Sequence, residues 1–512
     1  MIIVKEYRGH IRNWAELCDI LGISSDLTRE VREHEILIKA YEKWGCNMAE
    51  YMHGMFAFAL WDESEQKLFC LRDHFGTKPF YYYETDDGRL LYGTFIRDII
   101  NQEGFVKELN CDMLQIYMSL TYVGGEDTFF KGLKKLMPGC YLIHQNGKTS
   151  VTRYWKPEFN PDTTKSLDDW ADEIHSTVQK MMSEVKTPDE TAESFLSGGV
   201  DSSYVLAMSD VKHTNSCGYE DERFDEAALA KKTADILGRE NFKCLVTPED
   251  YFNIVPSVMY NMEQPLGDAS AIAFAIACRE TAKNTKLCYS GEGADEFFGG
   301  YNMYRNAERY GENLKTFYVG NTNIMKEDEK KKILKNYNEN VLPINLVKHI
   351  YDEIEGYDPL TKMSDIDIQI WLEGDIYLNV DKMSSAFGLE IRMPLTDRRV
   401  FDIASRLPSK FKVNDEQNKV AFRTAASKVI PDEIAFRKKL GFIVPIRIWL
   451  ADSNYNSDVR RLLNSDIADK FFNLSEINAI FEDYISGNSD NWRKIWTIYT
   501  FLVWYEEYFV KR

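Results

Sequence analysis

The stretch that most constrains the fold of this chain is SGGVDSS, residues 197–203, between the apolar SFL and the helix-like YVLAMSD. Glycines let the backbone approach an anion closely, and the N-terminus of a helix presents unpaired N–H groups to it. The hydroxyls of Ser197, Ser202 and Ser203 add donors. Asp201 cannot donate to a phosphate and instead indicates a divalent cation, most often Mg²⁺. The lysine of the P-loop pattern is absent, so a different phosphate loop is predicted between a strand and a helix.

The surrounding sequence alternates short apolar runs with helical patterns. AESFL, NSCGY and KCLVT are typical of buried strands, and SSYVLAMS and DEAALAKKTADILG lie between them with helical periodicity. Strands that alternate with helices predict a parallel sheet. The chain beyond about residue 300 is predicted to be mainly helical, and its aromatic end, KIWTIYTFLVWYEEYF, to be a core helix.

The first part of the chain has a different character. GCYLIHQNGKTSVTRYW predicts a hairpin that turns at Asn146 and Gly147, and HEILIKAYEKWG predicts a helix. The polar segment YWKPEFNPDTTKSLDD, with two prolines, separates the two parts. We therefore expect a mixed α+β domain over residues 1–155 and an α/β domain over residues 165–512.

Composition excludes several classes of function. The chain has 81 acidic and 62 basic residues, a net charge of −19, which argues against a nucleic-acid partner because phosphate contacts need clustered Lys and Arg. The nine cysteines form no CxxC pair, so neither a disulfide framework nor a zinc site is predicted. No apolar run spans a membrane and no leader precedes the chain, which favours a cytoplasmic protein without a membrane partner.

A second loop is strongly acidic. Residues 286–304, KLCYSGEGADEFFGGYNMY, place Glu292, Asp295 and Glu296 within five positions after a strand-like run. Carboxylates at that density repel one another unless a cation or a donor lies among them. The loop therefore predicts a second element of a cation or phosphate site.

These motifs resemble the asparagine synthetase family, and SGGVDSS by itself resembles the phosphate loop of enzymes that cleave ATP to AMP and pyrophosphate. The matching segments cover most of residues 190–450 and are FLSGGVDSSYV, FDEAALAKKTADILG, NMEQPLGDASAIA, SGEGADE with FFGGY, DKMSSAFGLEIRMPLTDRRVFD and FRKKLGFIVPIRIWL. The resemblance implies an ATP pyrophosphatase-type α/β domain with a parallel sheet and a helical C-terminal part. It further implies an AMP-forming ligase that uses ATP and Mg²⁺ to make asparagine from aspartate, often as a homodimer.

The resemblance also implies a nucleotide site. Leu196 and Cys217 fall where the family holds adenosine, and Ser290 and Gly291 also line the nucleotide. The loop itself is expected to take the phosphates, through Ser197, Gly198, Gly199, Asp201, Ser202 and Ser203.

Catalytic roles are carried over in the same way. Asp201 and Asp295 would bind Mg²⁺ and pyrophosphate, and Glu292 matches the glutamate needed to form β-aspartyl-AMP. Arg392 is expected near substrate or pyrophosphate, and Lys439 near the α-phosphate and the intermediate. Related β-lactam-forming enzymes have a tyrosine at the position of Glu292, so this chain favours the asparagine-forming branch.

The amino-terminal domain resembles class II glutamine amidotransferases, N-terminal-nucleophile hydrolases whose nucleophile is the Cys after the initiator Met. This chain has no such Cys; its first is Cys18, predicted to be buried in a helix. YRGHIRNWAEL resembles a family segment that normally lies well into the domain, which indicates an incomplete sandwich without the nucleophile segment. Arg8 stands where the family has the oxyanion-hole Asn, and Glu33, His34 and Glu35 stand where an Asp-x-Glu contacts glutamine.

We therefore expect no Cys-dependent glutamine hydrolysis by this chain. Either the segment has been lost and ammonia is the nitrogen donor, or the gene model is shortened and a full-length form uses glutamine. Three alternatives to an asparagine-forming ligase remain at this point. They are an amide ligase or cyclase of the same superfamily that acts on another carboxylate, a regulatory homologue without catalysis, and a tRNA-modifying enzyme, which the net charge opposes.

Overall fold

The computed structural model describes residues 1–187, 190–320, 322–438 and 441–511. The strands are β1 (Ile2–Ile11), β2 (Gly54–Asp62), β3 (Lys67–Arg72), β4 (Tyr81–Glu84), β5 (Leu90–Gly93), β6 (Lys134–Lys135), β7 (Cys140–Gln145), β8 (Lys148–Arg153), β9 (Glu193–Phe195), β10 (His213–Gly218), β11 (Glu240–Leu245), β12 (Leu287–Tyr289) and β13 (Glu390–Arg392).

The α-helices are α1 (Trp14–Leu21), α2 (Arg29–Trp44), α3 (Ile96–Ile100), α4 (Cys111–Leu120), α5 (Leu167–Glu184), α6 (Val200–Ala207), α7 (Ala227–Ile236), α8 (Pro248–Met262), α9 (Ser270–Thr281), α10 (Ala294–Phe298), α11 (Ala307–Tyr310), α12 (Glu327–Ile333), α13 (Ile344–Glu353), α14 (Pro359–Ile366), α15 (Tyr377–Ala386), α16 (Arg398–Ala404), α17 (Ser409–Lys412), α18 (Val420–Ala426), α19 (Asp432–Ala435), α20 (Ile446–Trp449), α21 (Ser457–Leu463), α22 (Asp466–Phe471), α23 (Leu474–Ile485) and α24 (Trp492–Tyr505). Short 3₁₀ helices occupy Gly45–Glu50, Asn302–Asn306, Gly311–Thr316 and Ser489–Asn491, and π-helices occupy Asp367–Ile376 and Glu506–Val510.

The first part of the chain forms two antiparallel sheets. One has five strands in the order β1-β2-β3-β7-β8, and the other has three in the order β5-β4-β6. The predicted hairpin is confirmed: β7 pairs with β8, and Asn146 and Gly147 turn with φ of 53° and 69°. Apolar side chains of β2, β3 and β7 pack on the smaller sheet, and α1 and α2 cover the opposite face of the larger one.

The second part contains the predicted parallel sheet, with the order β11-β10-β9-β12-β13. Helices α6 and α7 connect β9 to β10 and β10 to β11, as the alternating pattern predicts. Because all five strands run in one direction, the loops that follow β9, β10 and β12 emerge at the same edge. That edge is where open α/β sheets bind their ligands.

The remaining chain is helical, as predicted, and its aromatic end is buried. Helix α24 packs on residues of the first part, with the ring of Trp504 centred 4.9 Å from that of Phe129 and 5.7 Å from that of Phe130. One apolar core therefore runs through both parts of the chain. In the described ranges no helix is long and apolar enough to cross a membrane.

Candidate active site

The predicted phosphate loop lies between β9 and α6. Gly198 adopts φ of +76°, which suits glycine, and Gly199 is the residue before the helix. The Oγ of Ser202 accepts a hydrogen bond from the Ser197 N–H at 3.2 Å, and the Oγ of Ser203 donates to the Gly199 carbonyl at 2.7 Å. These bonds fold the loop over the first turn of α6, so its backbone faces the edge of the sheet.

The acidic loop lies beside the phosphate loop because β12 pairs with β9. A Cβ on Gly291 would stand 3.0 Å from the carbonyl carbon and the Cβ of Asp201, so the two loops touch there. The three carboxylates have different surroundings. Glu292 and Asp295 are half-buried, whereas Glu296 is buried and accepts a hydrogen bond from the Tyr301 hydroxyl at 2.6 Å. Glu292 and Asp295 are therefore more exposed at this edge than Glu296 is.

The structure adds a residue that the sequence did not indicate. The Nζ of Lys419 lies 2.6 Å from Oδ1 of Asp201 and 2.7 Å from Oδ1 of Asp295, and its side chain is only 2% exposed. Lys419 takes φ of +59° immediately before α18. At Gly300 a Cβ would stand 2.3 Å from the Lys419 Cε, so the close approach needs a glycine. One buried ammonium thus joins the phosphate loop to the acidic loop.

The other predicted nucleotide residues lie at the same edge. Leu196 is buried, and its N–H donates to the Asn215 carbonyl of β10 at 2.9 Å. Cys217 is on β10, where burial raises the pKa of its thiol well above the ordinary value. The Ser290 hydroxyl donates to Glu292 at 3.3 Å. The carboxyl ends of neighbouring strands therefore bring these residues together.

Arg392 lies outside this cluster. Its Nη1 and Nη2 donate to the two carboxylate oxygens of Glu190 at 2.9 and 2.6 Å, its Nε donates to Glu390 at 2.8 Å, and its Nη1 also donates to the Val185 carbonyl at 2.6 Å. The guanidinium is thus held by protein oxygens. Lys439, the other predicted cation, lies outside the described residues. Nearby, Arg437 donates to the Gly198 carbonyl of the phosphate loop and to the Thr233 hydroxyl.

Arg8, which stands at the oxyanion-hole position of the amidotransferase pattern, reaches the parallel-sheet part of the molecule. Its Nη1 donates to Asp381 at 2.8 Å, and its Nη2 donates to the Ser385 hydroxyl. The guanidinium also lies 4.4 Å from the centre of the Phe95 ring. These contacts make Arg8 an anchor between the two parts of the chain.

Glu33, at the position of a glutamine-contacting acid, also has protein partners. It accepts hydrogen bonds from the Tyr7 hydroxyl at 2.9 Å, the Ile11 N–H at 3.0 Å and the Arg29 Nε at 3.3 Å, and it pairs with Nδ1 of His10 at 3.2 Å. Four protein groups therefore surround this carboxylate.

The buried pair of His10 and Glu33 predicts a pH effect on stability. Burial, with a contribution from the positive charge of Arg392, lowers the pKa of His10 to about 4. Between pH 6.5 and 4 the unfolded chain binds a proton at this site that the folded chain does not, so stability present above pH 6.5 is lost as the pH falls. We expect the wild type to lose about 2 kcal/mol more than His10→Gln between pH 7 and pH 5, measured by urea unfolding. If the stabilities of wild type and His10→Gln fell in parallel with pH, the lowered pKa assigned to His10 would be wrong.

Two family profiles match the chain. The profile of the family described as Asparagine synthase matches residues 173–506, and that of the Glutamine amidotransferase domain matches residues 2–155. The chain belongs to the asparagine synthetase family. It is an ATP-dependent carbon–nitrogen ligase by that membership.

Relatives of known name span nearly the whole chain. Asparagine synthetase (glutamine-hydrolyzing) 1 of Bacillus subtilis is 32% identical, over 99% of this chain and 86% of the relative. A putative asparagine synthetase (glutamine-hydrolyzing) of Mycobacterium tuberculosis is 29% identical, over 98% of this chain and 83% of the relative. Among solved structures, NMN synthetase from Francisella tularensis aligns with 49% of this chain and 98% of its own at 12% identity, but its TM-score of 0.20 bears on neither fold nor function.

Proposed function

We propose that this member of the asparagine synthetase family makes asparagine from aspartate and ammonia. A β-carboxylate oxygen of aspartate attacks the α-phosphorus of ATP, and pyrophosphate leaves. Ammonia then attacks the acyl carbon of β-aspartyl-AMP, loses a proton, and AMP leaves with the bonding electron pair. The observation that carries the proposal is Lys419 between Asp201 and Asp295, because it joins a phosphate loop to the loop that holds Glu292.

Nucleotide binding rests on the edge of the parallel sheet. In-line attack at phosphorus depends on charge neutralisation and positioning, which backbone amides, hydroxyls and cations provide. The proposed adenosine contacts come from β10 and from the starts of the loops after β9 and β12, and the phosphate contacts from the loop and first turn of α6. The residues are Leu196, Cys217, Ser290 and Gly291 for the nucleoside side, and Ser197, Gly198, Gly199, Ser202 and Ser203 for the β- and γ-phosphates.

Asp201 and Asp295 fit a magnesium site. Their Oδ1 atoms already converge on one cationic group within 2.7 Å. Mg²⁺ is commonly held by one or two carboxylates together with substrate phosphates, so this donor set suits it. When bound, the ion would neutralise charge on the pyrophosphate. The ammonium of Lys419 would then be free to pair with a phosphate oxygen.

Three residues are proposed to act on aspartate or on its acyl-adenylate. Glu292 can accept a hydrogen bond from the α-ammonium of aspartate and so orient the β-carboxylate, which is a positioning effect. Lys439 is proposed to stabilise the tetrahedral oxyanion formed by ammonia attack. The role of Arg392 at substrate stays a prediction, since its donors are directed at Glu190 and Glu390.

The nitrogen donor can be tested directly. Because Arg8 and Glu33 are engaged by protein groups, we expect purified protein with Mg-ATP and aspartate to form asparagine with ammonium and not with glutamine. The measurement is pyrophosphate release with mass identification of the product. The controls replace aspartate by alanine, which lacks the β-carboxylate, or by glutamate.

The outcomes separate the remaining readings. Asparagine formed from glutamine would overturn the proposed nitrogen source and leave the ligase reaction standing. Pyrophosphate released only with some other carboxylate would assign the chain to a specialised branch of the family. A folded protein that binds ATP and releases no pyrophosphate with any amino acid would contradict the enzymatic proposal.

The division of the chain belongs to the same proposal. We assign residues 1–155 to an amidotransferase-like domain and residues 165–512 to the ligase domain. In support, no strand of the two antiparallel sheets pairs with a strand of the parallel sheet in the described ranges. A homodimer and a cytoplasmic location stay predictions of the family resemblance, which sedimentation and cell fractionation would test.

A further inference from the structure

A tight turn between β13 and α16 supports the loop that carries Glu292. The turn comprises residues 393–397 and is closed by a hydrogen bond from the Thr396 N–H to the Met393 carbonyl at 3.0 Å. The hydroxyl of Thr396 donates to the backbone carbonyl of Glu292 at 3.0 Å, and it pairs with the Tyr377 hydroxyl at 2.9 Å. The position of the turn therefore fixes the backbone of Glu292.

The contact leaves no spare room. Gly293 has φ of +93°, and a Cβ there would stand 2.4 Å from Oγ1 of Thr396 and 2.9 Å from the Tyr377 hydroxyl. A close-packed interior transmits a displacement rather than absorbing it. A shift of the turn would therefore move the loop with it.

An arginine of the amidotransferase-like domain holds both ends of this turn. Arg12 follows β1, and its side chain is completely buried. Its Nη1 pairs with Oδ2 of Asp397, and its Nη2 donates to the Met393 carbonyl at 3.2 Å. Asp397 also accepts from the Arg399 N–H at 2.9 Å at the start of α16, so it is fixed from both sides.

We propose that Arg12 is a positioning residue for the ligase site, acting through the 393–397 turn and Thr396 on Glu292. The amidotransferase-like domain thereby contributes to acyl transfer without touching a substrate. This inference rests on the proposed function for the role of Glu292. Misplacing a catalytic group by about 1 Å costs on the order of 100-fold in rate, even when the mutation lies far from the reacting atoms. A residue that supports the Glu292 loop from outside the site can therefore control turnover.

The test compares Arg12→Gln with a matched break elsewhere in the same interface. Lys135 is also buried, and it pairs with the buried Glu373 at 2.8 Å, but it contacts neither the turn nor the acidic loop. We expect Arg12→Gln to lower kcat for aspartate-dependent pyrophosphate release at least about tenfold with KM for ATP within about twofold, whereas Lys135→Met keeps kcat. Equal losses in kcat for the two variants would show a general interface effect and overturn the inference.

Further variants keep the test decisive if Arg12→Gln does not fold. Asp397→Asn removes the charge that pairs with Arg12 and keeps an oxygen that can accept from the Arg399 N–H, so it should reproduce the fall in kcat. Thr396→Val should lower kcat and Thr396→Ser should restore it. Adding Arg12→Gln or Asp397→Asn to Thr396→Val should cost little more, because the residues act in one chain of contacts. Additive losses would contradict the relay.

A readout without turnover separates the inference from the proposed function. We expect amide hydrogen exchange in residues 290–300 to accelerate in Asp397→Asn and Thr396→Val and to stay at the wild-type rate in Lys135→Met. That pattern in a protein that does not adenylate aspartate would uphold the relay and reject the proposed substrate. Unchanged exchange in all variants would overturn the relay, whatever the activity.

Discussion

Lys419→Met is expected to lower kcat/KM for aspartate-dependent pyrophosphate release about 100- to 1000-fold, the range seen when one preorganised group is removed from a site of developing charge. The ammonium lies 2.6 and 2.7 Å from the carboxylates of Asp201 and Asp295 in a position only 2% exposed. Without it, the phosphate oxygen that the ammonium is proposed to pair with in the Mg²⁺-bound site loses that partner. Methionine keeps the length of the aliphatic side chain, and the positive φ at position 419 is no less favourable for methionine than for lysine.

The control is a second buried lysine close by in the sequence. Lys412 is buried, and its Nζ lies 5.1 Å from the centre of the Phe159 ring, whereas its Cβ and backbone approach Gly299 near the end of the acidic loop. Burial lowers the pKa of Lys412 to about 8, and Lys412 is as completely buried as Lys419. We expect Lys412→Met to keep its activity and Lys419→Arg to recover part of it. If Lys419→Met kept the wild-type kcat/KM, the contacts of Lys419 would no longer support the proposed function.

The second large effect is expected at Glu292. Glu292→Gln should lower asparagine formation on the order of 1000-fold while the dissociation constant for ATP stays within about twofold, since the change removes a charge that orients aspartate and leaves the phosphate loop intact. The carboxylate is half-buried, next to the loop of Asp201. Stopped-flow release of pyrophosphate, with nucleotide binding measured by calorimetry, separates the two effects.

Glu296 provides the matched substitution within the same loop. Its carboxylate is buried and accepts from the Tyr301 hydroxyl at 2.6 Å, and the amide oxygen of glutamine can accept the same bond. We therefore expect Glu296→Gln to keep near wild-type turnover. If both variants lost activity equally, the acidic loop would be acting as a structural unit, and Glu292 would have no separate role.

The local motifs of the chain predict much of this site. SGGVDSS after an apolar run predicts a loop at the carboxyl end of a strand, and KLCYSGEGADE predicts a second one. Parallel strands that pair side by side bring their following loops together, so the neighbourhood of Asp201 and Asp295 follows once β9 and β12 are adjacent. The hairpin at Asn146 and Gly147 is predicted for a similar reason, because its turn residues tolerate positive φ.

Three contacts could not be predicted from sequence. Lys419 lies 218 residues from Asp201 in a polar stretch, NDEQNKVAFR, that has no distinguishing pattern. Arg12 and Asp397 are separated by 385 residues, and neither belongs to a motif that indicates an ion pair. Arg392 lies in a family motif, yet its surroundings turn its guanidinium towards Glu190 and Glu390.

The sequence by itself determined the ligase family and the order of strands and helices around the phosphate loop, and it predicted the residues that are proposed to face the nucleotide. These depend on turn geometry, periodicity and short motifs, which act over a few positions of the chain. Only the tertiary structure decided which cation joins the two loops, how the amidotransferase-like domain reaches the turn beneath Glu292, and where Arg392 points. Such contacts depend on the packing of distant segments, because a buried charge takes whichever partner the folded chain places within hydrogen-bonding distance.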